Sequence, residues 1–204
     1  AILRTVAAPE FTGEQALELA RGAIEELGPD GDDQTLASAW YLVLAAENLR
    51  SQWQESIVAV EHVLEHAPNP GDRWRSDALE YFAPAIFWGP TPLPEGLPRV
   101  EALLESARGD KALEAWTLRP VSGFYAMQGR FDEARALLAR AHAILEELGR
   151  TMDAVTLAFW TGPLELLAGD PAEAARVTGE ACEFLEAAGE RVERREDLAV
   201  GQVA

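Results

Sequence analysis

One apolar pattern occurs twice, forty residues apart, and it restricts the folds open to this chain more than any other feature. Residues 129–149 read GRFDEARALLARAHAILEELG, with apolar side chains at three- and four-residue spacings between two glycines. That spacing is typical of an amphipathic helix, and a glycine after the last turn is typical of a helix end. Residues 169–189, GDPAEAARVTGEACEFLEAAG, repeat the pattern. The recurrence predicts an array of similar helical units.

The predicted second helix of each unit begins at a nearly constant interval. The starts are Trp53, Leu93, Phe131 and Pro171, at spacings of 40, 38 and 40 residues. Small residues stand three positions later, at Ser56, Gly96, Ala134 and Ala174. Seven residues further on, two helical turns, come Val63, Leu103, Ala141 and Ala181. A stripe of small residues lets two helices approach closely, so the pattern predicts antiparallel helix pairs joined by short turns.

Breaks rich in Pro, Gly and Asp divide the chain into a leading helix and four helix pairs. We predict the leading helix over 12–27, with Thr12 as its N-cap, and the pairs over 33–67, 73–109, 110–149 and 152–189. Single helices are expected over 97–109, 152–168 and 171–188. Residues 1–11 look like the edge of a fragment, and 190–204 are a charged tail or a truncated helix. The result is one helical repeat domain, 12–189, with about nine helices and no strand.

The most informative run of residues spans the third pair. It follows a large, small, aromatic, glycine, aromatic, alanine order at Leu118, Val121, Ser122, Tyr125, Gly129, Phe131, Ala134 and Ala141. This order resembles the tetratricopeptide repeat family, closely over 110–189 and loosely over 33–109. The period exceeds the family's usual ~34 residues, and Leu44 and Phe82 replace its small residue in the earlier units. The resemblance implies an all-α fold, an α-solenoid whose antiparallel helix pairs stack into a right-handed superhelix.

The stretch GRFDEARALLARA and in-helix prolines such as Pro84 and Pro120 are also similar to the repeat regions of large bacterial multidomain regulators. Those proteins join such an array to an ATPase module and a cyclase-type or DNA-binding output domain. The resemblance implies a non-catalytic, cytoplasmic protein-interaction or signalling module without a cofactor. Its partners would be a protein or peptide, other domains of the same chain, or a second copy. The alternative is an effector sensor that binds a small molecule or peptide in the concave groove.

In tetratricopeptide arrays the first helix of each pair lines that groove. The matching positions here are mostly apolar and aromatic: Tyr41, Asn48, Leu79, Phe87, Trp116, Arg119, Met127, Phe159 and Leu166, together with Ala45, Leu49, Ala83, Ile86, Gly123, Pro163 and Leu167. Such a surface suits a peptide, a partner helix or a flat ligand, with Asn48 and Arg119 as polar anchors. The alternative is that these side chains fill the core of a tightly curved stack.

The formal net charge of −18 limits the partners of this chain. Phosphate backbones and anionic lipids would be repelled, so direct binding to nucleic acid or to a membrane is not expected. No apolar run approaches the roughly 20 residues that span a bilayer. The single cysteine, Cys182, excludes an internal disulfide, and we expect it to be a small buried hydrophobe in a reducing cytoplasm.

One stretch is typical of a metalloenzyme. Residues 62–66, HVLEH, match the inverted zinc-protease spacing, in which His62 and His66 lie on one helix face, and His62, Glu65 and His66 are the candidate metal-site residues. The alternative, which we favour over a zinc hydrolase, is a solvated helix face, because no third ligand region stands out. We likewise interpret His142 as a surface residue and residues 30–33 as an acidic turn and helix cap rather than a calcium loop.

Overall fold

The computed structural model describes residues 13–201, with side chains described over 13–189. Every regular element in this range is a helix. In chain order the helices are α1 (Gly13–Leu27), α2 (Asp33–Leu49), α3 (Trp53–His66), α4 (Arg73–Trp88), α5 (Leu93–Ser106), α6 (Lys111–Met127), α7 (Phe131–Glu147), α8 (Thr151–Val155), α9 (Ala158–Ala168) and α10 (Pro171–Gly201). If α8 and α9 are counted as one interrupted helix, the described residues contain nine helices, and the predicted all-α class is confirmed for them.

The helices that the spacing predicts begin where it places them. Helices α3, α5, α7 and α10 start at Trp53, Leu93, Phe131 and Pro171. The expectation that α5 begins only at 97 is therefore wrong. Pro94 lies in the first turn of α5, where a proline costs little because the backbone N–H that it lacks would have no partner there.

Two further helix limits differ from the prediction. The helix expected over 152–168 is broken after Val155, where the Thr156 hydroxyl donates to Asp153 O and the backbone makes tighter bonds such as Leu157 N to Ala154 O. The last helix does not stop at Gly189 but continues to Gly201, because the residues after that glycine are mostly good helix formers. Thr12, the predicted N-cap of α1, lies outside the described residues.

The described residues form two compact units, divided between Pro120 and Val121 within α6. In the first unit each helix from α1 to α4 packs on the next one in the chain, around a core that includes Leu44, Val60 and Val63. In the second unit α9 packs on α10 and on α7, and α7 packs on α8. The small residues that follow the four predicted starts are all buried: Ser56, Gly96, Ala134 and Ala174.

A left-handed residue stands two positions before three of these helix starts. Gly129 and Gly169 have φ of 75° and 84°, and Ser51 occupies the equivalent place with φ of 56°. Each is followed by the same closing hydrogen bond, from Gln52 N to Glu47 O (2.9 Å), Arg130 N to Tyr125 O (2.9 Å) and Asp170 N to Glu165 O (2.8 Å). These bonds satisfy carbonyls at the helix end, and the φ they require suits glycine better than serine.

We expect Ser51→Gly to raise the free energy of unfolding by about 0.5 kcal/mol, because it relieves a Cβ in the left-handed region and costs some entropy of the unfolded chain. Gly169→Ser is the reciprocal control, since a Cβ there would meet no neighbour within 4 Å and only the backbone conformation is tested. It should lower stability by about 1 kcal/mol. Urea denaturation checks both variants. Changes of the same sign would contradict the conclusion that the left-handed conformation at these turns favours glycine over serine.

Two buried carboxylates tie neighbouring helices together. Glu47 accepts hydrogen bonds from Arg21 of α1 (3.1 Å) and from Arg50 (2.8 Å). Glu165 is held by both ends of the Arg135 guanidinium, at 2.8 and 2.6 Å. Each glutamate lies six residues before a helix start, Trp53 and Pro171 respectively. A buried carboxylate without such partners would be strongly destabilising, so these arginines are required where they stand.

Arg135→Ala should therefore lower the free energy of unfolding by about 2 kcal/mol, because Glu165 would stay buried without its cation. The matched control is Asp132→Ala, which removes a fully exposed partner of the same arginine. That loss should stay below about 0.5 kcal/mol. Thermal and urea denaturation of the two variants make the comparison, and equal losses would show that the buried pair has no special weight.

Candidate functional site

Most predicted groove positions of the first unit are half-buried rather than open, although Leu49 is 75% exposed. The half-buried positions include Tyr41, Asn48, Leu79, Phe87 and Trp116. Tyr41 belongs to an aromatic cluster in which its ring centre lies 5.1 Å from that of Trp74 and 6.2 Å from that of Tyr81. Burial, with a smaller effect of the neighbouring Tyr81, raises the pKa of the Tyr41 phenol above its ordinary range. These aromatic rings pack against one another, and the cluster therefore joins α2 to α4.

Three other positions of the predicted set are core residues. Ala83 and Ile86 are fully buried in α4 and cannot line an open groove. Arg119, predicted as a polar anchor, is only 3% exposed, and its guanidinium carbon lies 4.0 Å from the centre of the Trp116 ring. A guanidinium on an indole face is a stable cation–π arrangement. For these residues the alternative interpretation, a filled core, describes the structure better.

Apart from Gly123, which is half-buried, the predicted positions of the second unit are exposed. Met127 is open to solvent, and on α9 the side chains of Phe159, Leu166 and Leu167 are 65%, 60% and 59% exposed. Pro163 is exposed as well. Residues 159, 163, 166 and 167 stand at spacings that put them on one side of a helix. We call these four residues the α9 face. It is the part of the predicted set that the structure brings together on an open surface.

The two histidines of residues 62–66 have different partners. The His62 ring stacks on Trp40 with a centre-to-centre distance of 4.0 Å, and its Nδ1 lies 3.4 Å from Glu65 Oε2. His66 Nδ1 lies 2.9 Å from Asp33 Oδ1, at the start of α2. Glu65 is exposed as a solvated face requires, whereas His66 is half-buried. Within the described residues no group of three or more His, Cys, Asp or Glu side chains is arranged to hold a metal.

Three smaller predictions have clear outcomes. Cys182 is exposed on α10, so the expectation of a buried cysteine is wrong: the apolar neighbours in the sequence do not put that side of the helix against another element. His142 is exposed, as predicted. Asp32 caps α2 by accepting from Thr35 N at 2.9 Å, so the acidic residues 30–33 do form a turn and cap.

Sequence reasoning missed an open groove in the first unit, of about 390 Å³. Helix α2 forms its floor, and α1 and α3 form its walls. The lining residues are Arg21, Ile24 and Glu25 from α1, Trp40, Val43 and Glu47 from α2, and Gln54, Glu55 and Val58 from α3. One signal could have pointed to it: the acidic residue Glu47 directly follows the apolar run from Leu42 to Ala46.

No protein-family model matches this chain, and no curated protein is significantly similar in sequence. Among the described helices, none combines the length and the apolar character that a bilayer span requires.

The raised pKa of Tyr41 predicts a loss of stability at alkaline pH. In the unfolded chain the phenol ionises near pH ~10, while in the folded chain it keeps its proton to higher pH. The contribution of Tyr41 is thus fully present below about pH 10 and is lost as the pH rises further. Urea denaturation at about pH 9 and about pH 11 checks this. Between these two pH values the free energy of unfolding should fall more for the natural chain than for Tyr41→Phe. Equal falls would contradict the effect of burial.

Proposed function

We propose that this chain is a non-catalytic protein-interaction module of tetratricopeptide-like helix pairs, part of a larger bacterial signalling or transcriptional regulator. In this proposal the α9 face binds an amphipathic helix of a partner protein. The observation that carries it is the exposure of Phe159, Leu166 and Leu167 on one side of a single helix. Exposed apolar patches of this kind mark interaction sites, and a helix is the partner that such a stripe suits.

Regular features of the chain support the repeat architecture. Four helices start at the predicted interval, three of them follow a left-handed residue, and a buried small residue stands at the same place in all four. Sequential packing of α1 to α5 is what stacked helix pairs require. The right-handed superhelix of antiparallel pairs is the arrangement that we infer from this regularity.

The geometry of the α9 face limits the size of its partner. The four residues span nine helix positions, from 159 to 167, a length of about 12 Å at 1.5 Å per residue. A partner helix needs about two turns to cover this length, with apolar residues at three- and four-residue spacings. Burying one large apolar side chain contributes about 2 kcal/mol, so loss of two should weaken binding by a hundredfold or more.

Charge favours a basic partner over a second copy of this chain. The net charge of −18 repels another copy and attracts lysine or arginine residues that flank an apolar stripe. The partner that we propose is therefore an amphipathic helix with a basic polar face.

A designed peptide tests the proposal. The probe is an 18-residue helix with leucine on one face and lysine on the other, and a scrambled peptide of the same composition controls for charge alone. Titration calorimetry should show binding to the natural chain and a loss of a hundredfold or more for Phe159→Ser with Leu166→Ser. Leu19→Ser, which changes an equally exposed apolar residue of α1, is the matched control and should bind as the natural chain does.

Circular dichroism of the double variant should match the natural chain, because both side chains are exposed. The proposal fails if the scrambled peptide binds equally well, or if Leu19→Ser weakens binding as much as the double variant does. If sedimentation shows that the natural chain is a dimer and the double variant is a monomer, the α9 face binds a second copy of this chain and not a partner helix.

A further inference from the structure

The groove between α1 and α3 has the dimensions of a small-molecule site. Its volume of about 390 Å³ lies within the range of ligand pockets in proteins. The floor residues Trp40, Val43 and Glu47 follow one another along one side of α2, over about 10 Å of helix. This length suits one compact ligand with an apolar end and a polar end.

The apolar part of the groove is preformed. Val43 is buried in the floor, while Ile24 is half-buried and Val58 is exposed on the two walls. Trp40 is held in place because its ring stacks on His62 with an angle of 15° between the two planes. A ligand that covers these side chains removes apolar surface from water without first ordering a loop.

The charges of the groove select the sign of the ligand. Glu47 is already neutralised by Arg21 and Arg50, so its carboxylate is a fixed part of the floor. Glu25 and Glu55 stand on opposite walls, both are exposed, and neither has an ion-pair partner among the described residues. With Glu47 neutralised, Glu25 and Glu55 are the two uncompensated charges of the lining, and they disfavour an anion and favour a cation.

We propose that this groove binds a small organic ammonium ion with an apolar body, of the arylalkylamine class. The apolar body lies on Trp40, Val43 and Val58, and the ammonium group pairs with Glu25 and Glu55. This site is in the first unit and shares no residue with the α9 face, so it does not rest on the function proposed above. It would give the module an effector site of its own.

Three probes of one shape test the charge selection. Phenethylamine, 2-phenylethanol and phenylacetate carry the same ring and chain with a positive, a neutral and a negative end. Backbone amide shifts in a two-dimensional NMR titration should saturate for phenethylamine, with a dissociation constant on the order of 1 mM. The alcohol should bind about tenfold more weakly, and the acid should cause no saturable shift. The shifted amides should lie in α1, α2 and α3.

Isosteric variants assign the site to its carboxylates. Glu25→Gln with Glu55→Gln should weaken phenethylamine binding by about tenfold and leave the fold unchanged, because both side chains are exposed. Glu26→Gln changes an exposed glutamate of the same helix that does not line the groove, and it should bind as the natural chain does. Phe159→Ser with Leu166→Ser should also bind as the natural chain does, which separates this site from the α9 face.

Several results would overturn the proposal. Equal binding of the three probes would show that charge plays no part, and shifts spread over α7 to α10 would show that the amine binds elsewhere. Equal weakening by Glu26→Gln and by the double glutamine variant would reduce the effect to net charge. Saturable binding of a polyarginine peptide by a chain that binds no phenethylamine would assign the groove to a protein partner instead.

Discussion

The packing of one helix against the next at a buried small residue is the interaction on which the rest of this structure depends. Ser56, Ala134 and Ala174 each stand three positions into a helix, and each is buried. A larger side chain at such a place would push the neighbouring helix away and open the core. In α9 the same need is met from the facing side, where a Cβ on Gly162 would lie 2.9 Å from Thr178 Oγ1. Because the helices pack closely at these residues, their orientation is fixed, and so are the positions of the side chains on their outer faces.

The same position before each of the four helix starts usually carries a side chain that attracts an arginine. Six residues before each predicted start the chain carries Glu47, Phe87, Tyr125 and Glu165. Three of the four meet an arginine: Glu47 and Glu165 through hydrogen bonds, and Tyr125 through the guanidinium carbon of Arg130, 3.4 Å from its ring centre. A carboxylate and an aromatic face can occupy equivalent places because both attract a guanidinium. Three of the four equivalent positions therefore have the same electrostatic role, although the residue type changes.

Sequence reasoning succeeded where a local signal decides the outcome. The starts at Trp53, Leu93, Phe131 and Pro171 follow from apolar periodicity and turn glycines, which act within a few residues. Gly189 misled it, because a glycine ends a helix only if the backbone adopts the left-handed conformation there, and neighbouring residues decide that. Two predictions of burial failed for a related reason: Arg119 was predicted to be exposed and is buried, and Cys182 was predicted to be buried and is exposed. Burial depends on which neighbour covers a helix face, and periodicity alone does not say whether a neighbour exists.

The same limit explains the candidate sites. The α9 face was predicted from a resemblance to the groove positions of tetratricopeptide arrays. The groove beside Glu47 was not predicted, because three helices contribute to it. Residues 21–25, 40–47 and 54–58 have no common motif in the sequence. Only the packing of α1 and α3 on α2 brings them together.

The turn at Ser51 has a consequence for motion in the first unit. Serine in a left-handed conformation makes the end of α2 less stable than the equivalent turns at Gly129 and Gly169. Gln54 and Glu55, which begin one wall of the groove, follow this turn directly. Local unfolding starts where the free energy of opening is smallest, so backbone amides at the start of α3 will exchange with solvent faster than those at the starts of α7 and α10. The groove therefore lies beside a junction that opens more readily than the equivalent junctions before α7 and α10, and a ligand held by Glu55 would slow this local opening.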